Sequence, residues 1–263
     1  GEHRLLSYSL TPVSQGGGNI QGAVMVLRDV TKQRAFERVR SEFVLRASHE
    51  LRTPVTGMHM AFALLQERLK FAPDSREADL TQTVDEQMQR LVDLITDLLN
   101  FSRYQSGLQK LDLAPCDLAD LINQTGQRFA NEAAEKGITL RCEPDDDLPL
   151  LPIDRAQIER VLDNLLVNAL RHTPAGGDIL LNAQYQNNEI IICVKDNGDG
   201  VVFSQQSRIF EPFVQVGKRK GGVGLGLALC QEIIQLHGGH ITLESRPGEG
   251  ALFCINLPMR SLS

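Results

Sequence analysis

The hydrophobic pattern changes period along the chain, and each change marks a different kind of element. Residues 3–30 read as two strands around a turn: "HRLLSYSLTPV", then "GGGN", then "IQGAVMVLRDV". The Gly-rich turn and the β-branched second run predict a hairpin. A lone hairpin is marginal in water, so these strands are expected to belong to a larger sheet. From about Lys32 to Lys70 the period becomes helical. Phe36, Val39, Phe43, Ala47, Leu51, Pro54, Met58, Phe62, Leu65 and Leu69 step by three and four, a seam that wants a partner helix. "FAPDSREAD" interrupts it. A second helix is predicted from about Leu80 to Gly107, with Leu80, Val84, Met88, Leu91, Ile95, Leu98 and Phe101 on one face. Two amphipathic helices joined by a short polar turn make a helical hairpin. One hairpin buries only part of each seam, so the pattern predicts a homodimer closed as a four-helix bundle.

After "LDLAPCDL", read as a linker, the pattern becomes α+β. A helix is predicted over about Asp117 to Lys136, then a strand at "ITLRC" and a turn at "EPDDD". Asp154 is the expected N-cap of a helix over 154–172. The strands "DILLNAQYQ" and "EIIICVKD" follow, joined by Asn187-Asn188. Residues 197–226 are rich in Gly and Lys and have little apolar period, which marks a functional loop. A helix, "LGLALCQEIIQLHG", and a last hairpin, "HITLES" with "ALFCINLP", complete the chain. Helices on one side of a mostly antiparallel sheet are the expected layers.

Composition adds limits. The 263 residues suffice for two modest domains and a fragment of a third. At 42% hydrophobic and 23% charged, the chain is globular rather than disordered or fibrous. A net charge of −6 implies no general nucleic-acid affinity. Five cysteines (Cys116, Cys142, Cys193, Cys230 and Cys254) are scattered with no CxxC, which suits reduced, mostly buried thiols in a cytosolic setting rather than disulfides or zinc. No apolar run reaches the roughly 18 residues of a membrane span, and no signal peptide is expected. The opening residues read as cut from something longer.

Candidate chemistry sits in four stretches. In "ASHELRTP", residues 47–54, His49 lies about 200° around the helix from both Ala47 and Leu51, at roughly 100° per residue, and so points away from the seam. A metal ligand would want His or carboxylates at i+3 or i+4, where Arg52 and Thr53 stand. An exposed imidazole beside Glu50 can be a nucleophile, the carboxylate taking the ring proton. Pro54 should kink or loosen the helix just past it. In "DNLLVNALRHTP", residues 163–174, Asn164, Asn168 and Arg171 or His172 share one stripe. Such paired amides can cap, be solvated, or hold Mg²⁺ through carbonyl oxygens. "DNGDG", residues 196–200, ends an apolar strand. It is ordinary turn chemistry, or a carboxylate placed to accept an adenine amino proton. "GGVGLGLAL", residues 221–229, precedes a helix and could cradle phosphate, although it lacks the Lys-Ser/Thr ending of a P-loop.

Together with "FEPF" (residues 210–213), these stretches occur in the order and spacing of the H, N, G1, F and G2 boxes, and the chain from about 32 to 258 resembles sensor histidine kinases. Residues 3–31 resemble the last hairpin of a PAS sensor domain. The resemblance implies three parts: 1–31 the PAS-like end, 32–112 the dimerisation and phosphoacceptor hairpin, and 113–263 an α/β-sandwich ATP-binding domain of the Bergerat type. It implies that His49 accepts phosphoryl, that Glu50 is the base, and that Thr53 orients water when a phosphorylated partner is dephosphorylated. Asn168 and Asn164 would hold Mg²⁺, and Arg171 and His172 would contact phosphates or ribose. Asp196 would read adenine, with Gly198 and Gly200 shaping its pocket. Phe210 and Phe213 would anchor a lid carrying Lys218, Arg219 and Lys220. Gly222, Gly224 and Gly226 would meet the phosphates, and Leu227 would also belong to the nucleotide-binding set.

The implied cofactors are ATP and Mg²⁺, and the implied partners are a second copy and a response-regulator receiver domain, with no nucleic acid. Membrane contact would come only through segments absent from this chain, which would be the cytoplasmic portion of an inner-membrane sensor. Val201, Val55 and Val223 depart from the common residues of the boxes, but none removes a reacting group. The Asn-bearing helix and glycine loop also resemble the gyrase and heat-shock ATPases. Those place a catalytic glutamate where Asn164 stands, which disfavours simple hydrolysis. The alternative function is a non-catalytic, nucleotide-binding dimeric scaffold.

Overall fold

The computed structural model describes residues 6–15, 19–68, 75–105, 109–215 and 224–259. Within the first helix the side chains of 32–43, 45–46, 48–49 and 66 fall outside that description. The chain begins with the antiparallel pair β1 (Leu6–Gln15) and β2 (Asn19–Asp29). Leu6, Tyr8, Leu10, Val24, Val26 and Leu27 are all exposed on it. Asp29 then accepts from the Thr31 N–H at 3.0 Å as the chain turns into helix α1 (Thr31–Arg68).

α1 runs unbroken through Pro54, so the helix does not end there as its missing N–H would allow. α2 (Arg76–Gln105) returns beside it and starts earlier than the apolar pattern alone marks, because Ser75 accepts from the Ala78 N–H at 3.1 Å. Only part of the predicted seam is buried within the hairpin. Leu51, Met58, Leu65 and Leu80 are each more than half exposed, as is much of Val84 and Leu91. Between the helices lie Val55, Ile95 and Leu99, flanked by Arg52, which donates to Thr96 Oγ1 at 3.2 Å, and His59, which meets Asp85 at 3.1 Å. The intramolecular contact thus joins Ile95 of the predicted row to its neighbours Val55 and Leu99. The longer apolar row is left on the outside of the hairpin.

The remaining elements form one layered α/β unit. A five-stranded sheet has the order β4 (Thr139–Pro144), β6 (Asp178–Gln186), β7 (Glu189–Asp196), β9 (Gly250–Pro258), β8 (His240–Arg246). Only β4 and β6 are parallel. Helices α3 (Leu118–Glu135), α4 (Arg155–His172) and α6 (Gly226–Leu236) share a core with one face of it, and the short α5 (Phe203–Gln206) lies in the segment between β7 and α6. Alternation supplies that face: Ile190, Ile192 and Val194 on β7, and Phe253, Ile255 and Leu257 on β9, meet Val161, Leu162, Leu165 and Ile233. Asn187 and Asn188 both take positive φ, 53° and 65°, which closes the β6–β7 hairpin with the required twist.

Asp154 is the N-cap the sequence predicts, and Asp117 caps α3 in the same way. Asp117 accepts from the Asp120 N–H at 3.0 Å and Asp154 from the Gln157 N–H at 3.2 Å. Asp154 also accepts from the Asp112 N–H at 3.1 Å, which fastens the connection from the hairpin onto α4.

Two readings are corrected. Part of the supposed linker is strand: β3 (Ala114–Cys116) pairs with β5 (Leu151–Ile153). Pro115 stands opposite Pro152, and prolines inside so short a run hide it from any strand pattern. And the cysteines are not all free. Cys193 and Cys254 are joined by a disulfide, because the β7–β9 register sets them directly opposite, Cα atoms 4.2 Å apart. Cys116, Cys142 and Cys230 are thiols.

Candidate functional site

A cavity of about 350 Å³ opens between α4, the end of β7, the loop after it, and the start of α6. One stripe of α4 provides a wall. Asn164, Asn168 and Arg171 recur at helical spacing and all line the cavity, with His172 beside them. Their opposite faces carry Leu162, Leu165 and Leu166 into the core, which fixes the helix's rotation and hence the direction of the amides. Burial, with Arg90 nearby, lowers the Arg171 pKa from its ordinary value.

Asp196 ends β7 on the inward side of the sheet and is almost wholly buried. Its Oδ1 accepts from the Gly198 N–H at 2.9 Å and the Ala251 N–H at 3.3 Å. Burial raises its pKa, and the two N–H groups pull it back down. Gly198 does not itself line the cavity, but no other residue fits, since a Cβ there would stand 2.5 Å from the His172 carbonyl oxygen. Gly200 lines the cavity with φ of 67°. The opposite rim is Gly224, Gly226 and Leu227. Gly224 has φ of 76° and accepts from the Phe213 N–H at 2.8 Å.

The two aromatic residues of "FEPF" are placed differently from each other. Phe210 packs edge-on against Phe253, centroids 6.5 Å apart, beneath the cavity. Phe213 is exposed, and it holds the rim through its backbone rather than its ring. Neither ring lines the cavity. Lys218, Arg219, Lys220, Gly222 and Val223 lie outside the described residues.

Two wall residues had no signal in the box pattern. Asp93 and Asp97 enter the cavity from α2, so the helical hairpin docks against the α/β unit at its site. Leu98 and Phe101 pack on Leu225 and Ala228, Tyr104 Oη donates to Gln157, and Asp97 meets Arg160 at 3.0 Å. Burial raises the Asp97 pKa, opposed by Arg160. Asp199, which follows the glycine of "DNG", also lines the cavity and lies 4.0 Å from His172 Nδ1.

The stretch "ASHELRTP" is elsewhere. Glu50 and Thr53 are exposed on α1, at i and i+3, and line no part of the cavity. The His49 backbone is helical, and its side chain lies outside the described residues.

The donor set suits a magnesium nucleotide. Amide oxygens of Asn164 and Asn168 are hard ligands, and glycine backbone N–H groups at a helix start favour phosphate. Among the described residues no group of three or more His, Cys, Asp and Glu could hold a metal ion. A metal here would therefore rely on amides and the nucleotide itself.

Residues 153–261 match the family described as histidine kinase-, DNA gyrase B-, and HSP90-like ATPase. Residues 39–107 match the His Kinase A (phospho-acceptor) domain. The chain belongs to the two-component sensor histidine kinases. Among its histidine kinase relatives, the alginate biosynthesis sensor protein KinB of Pseudomonas aeruginosa is 65% identical over 98% of this chain and 44% of its own length. The sensor histidine kinase WalK of Bacillus subtilis is 32% identical over 98% of this chain and 43% of its own. The chain thus spans less than half of either. The solved structure of full-length ShkA in complex with AMPPNP superposes with a TM-score of 0.74 at 30% identity, covering 84% of this chain and 46% of that one. Both the helical hairpin and the ATP-binding α/β class of the second unit agree with the sequence reading. No helix among the described residues is long and apolar enough to cross a membrane.

Proposed function

We propose that this chain is an ATP-dependent histidine autokinase that phosphorylates His49, passes the phosphoryl group to an aspartate of a response-regulator receiver domain, and also removes it from that regulator. The observation that carries the reading is the single cavity where Asn164, Asn168, Asp196, Gly224 and Gly226 converge, on a chain that also holds a phosphoacceptor hairpin.

The division of labour follows the chemistry. The buried Asp196 carboxylate accepts the adenine amino proton, held in place by Gly198 and Ala251. Arg171 and His172 meet phosphate or ribose oxygens, and the N–H groups at Gly224 and Gly226 receive the phosphates where the α6 dipole begins. Lys218 and Gly222 complete that side. Asn168 and Asn164 would hold Mg²⁺, which when bound would supply neutralisation of phosphate charge. A ring nitrogen of His49 attacks the γ-phosphorus in line as the bond to the bridging oxygen breaks and ADP leaves. Glu50 takes the proton from the other ring nitrogen. Little covalent work remains for the protein beyond positioning. Thr53, exposed on the same side of α1 as Glu50, orients water for the reverse task.

We further propose the three-part division at 1–31, 32–112 and 113–263, the first being the end of a PAS-like sheet. The exposed row of Leu51, Met58, Leu65, Leu80 and Val84 is the dimer seam of a four-helix bundle. The chain is the cytoplasmic portion of a membrane-anchored sensor. Phosphotransfer tests the reading. Protein labelled from γ-labelled ATP should lose its label to a cognate receiver domain within a panel, and that receiver should then be dephosphorylated by the parent but not by Thr53→Ala. A labelled chain that transfers to no receiver would overturn the relay.

A further inference from the structure

Cys193 and Cys254 bridge the two strands that carry the adenine-side carboxylate. Both are half-buried on the sheet face opposite the core, within reach of a small reagent. The sheet does not need the bridge. β7 and β9 are already paired at every position from Glu189↔Pro258 to Asp196↔Ala251. A cross-link between residues that the ladder already holds together is one whose making and breaking leaves the fold in place. The remaining thiols are placed differently: Cys116 and Cys230 are buried, and only Cys142 is half-buried.

The same strand pair leads to the cavity. Three residues beyond the bridge, on the other face, Asp196 stands opposite Ala251. The Ala251 N–H reaches Asp196 Oδ1 at 3.3 Å, near the long limit for such a bond and therefore sensitive to strand separation. The neighbouring contact has no slack, since a Cβ at Gly250 would stand 2.0 Å from the Asp196 carbonyl oxygen.

We propose that Cys193 and Cys254 form a reversible thiol–disulfide modification site, that its reactant is a low-molecular-weight disulfide of the glutathione type, and that its state sets nucleotide affinity through β7 and β9. One protein thiolate attacks the reagent's S–S bond and releases a glutathione thiolate. The second protein thiolate then displaces the other glutathione from the mixed disulfide. Two protein thiols are oxidised to one disulfide, one reagent disulfide is reduced to two thiols, and the two protons end on the released glutathiones. The bridged form holds Ala251 against Asp196 and binds nucleotide more tightly.

The inference rests on the cavity being the nucleotide site, and the test separates the two. The full chain is equilibrated with oxidised glutathione or with a reductant. The bridge is read by intact and peptide mass, as loss of two hydrogens, and ATP affinity by calorimetry with Mg²⁺ present. Oxidised protein should carry the Cys193–Cys254 bridge and bind ATP about 5-fold more tightly than reduced protein, a modest coupling between sites. Cys193→Ser and Cys254→Ser should each bind like the reduced form in both buffers, and Cys142→Ser should keep the full response. Glutathione adducts without the bridge, or a bridge that leaves affinity unchanged, would overturn the inference alone. Absence of ATP binding in both states would overturn the cavity reading and the inference with it.

Discussion

Asp97 of α2, which lines the cavity, and Arg160 of α4 meet at 3.0 Å. They tie the phosphoacceptor hairpin to the ATP-binding unit beside the cavity proposed to hold nucleotide. Leu98 and Phe101 pack beside them on Leu225 and Ala228, at the start of the α6 helix that contributes Gly226 to the rim. In this arrangement the hairpin shows the cavity the carboxylates of α2 and not the acceptor stretch of α1.

That contact should oppose autophosphorylation. Two carboxylates beside the proposed phosphate site repel a nucleotide's charge, and the docked helix must shift before His49 can approach. Asp97→Asn and Arg160→Gln are each expected to raise the initial autophosphorylation rate a few-fold. The pair is half-exposed, so a double-mutant cycle on stability should give a coupling of at most about 1 kcal/mol. Lower rates in both variants, with unchanged ATP affinity, would show that docking assists the reaction instead.

Asp196 gives a prediction with a sign. Burial raises its folded-state pKa above the usual carboxylate value of 3.8, so the folded chain holds the proton more tightly than the unfolded chain. Stability is then free of this cost below 3.8 and falls as pH rises through the window up to the raised value. Asp196→Asn removes the titration. Its stability relative to the parent should grow across that window and level off above it, while ATP binding weakens about 10- to 100-fold for loss of a charged hydrogen bond. Denaturant melts of both proteins over a pH series, paired with calorimetry at neutral pH, check the two halves. A stability difference independent of pH would contradict the buried-carboxylate account.

The outer apolar row of the hairpin makes a third. Leu65 and Val84 are exposed, one on each helix. Leu65→Glu with Val84→Glu should convert a dimer to a monomer in sedimentation velocity. The Val55, Ile95 and Leu99 contact within one chain is untouched by these changes, so helical content should persist. A double variant that remains dimeric would place the seam elsewhere.

Much of this was legible along the chain because the signals were local. Asp117 and Asp154 cap helices at the positions their side chains suggest, and Asn187-Asn188 takes the turn that only such residues enter easily. The Asn164, Asn168 and Arg171 stripe follows from helical spacing once Leu162, Leu165 and Leu166 are given to the core. What escaped was non-local. The hairpin row that faces its partner depends on how two helices roll against each other, which apolar period does not specify when apolar residues cover more than one row. The Cys193–Cys254 bridge needs a register between strands 61 residues apart in sequence. Asp93 and Asp97 look like ordinary solvated positions on α2 until another unit packs against them. β3 and β5 are too short and too rich in proline to carry a pattern.

The central claim is that His49 accepts phosphoryl from ATP held in the cavity. Incubation of the parent, His49→Ala, Glu50→Gln and Asn168→Ala with γ-labelled ATP and Mg²⁺ tests it most directly. The parent should gain a label that is lost in acid and kept in alkali. His49→Ala should show none, Asn168→Ala almost none, and Glu50→Gln a rate lower by about 100-fold or more, the usual cost of removing a general base. Label that survives acid, or that persists undiminished in His49→Ala, would contradict the account.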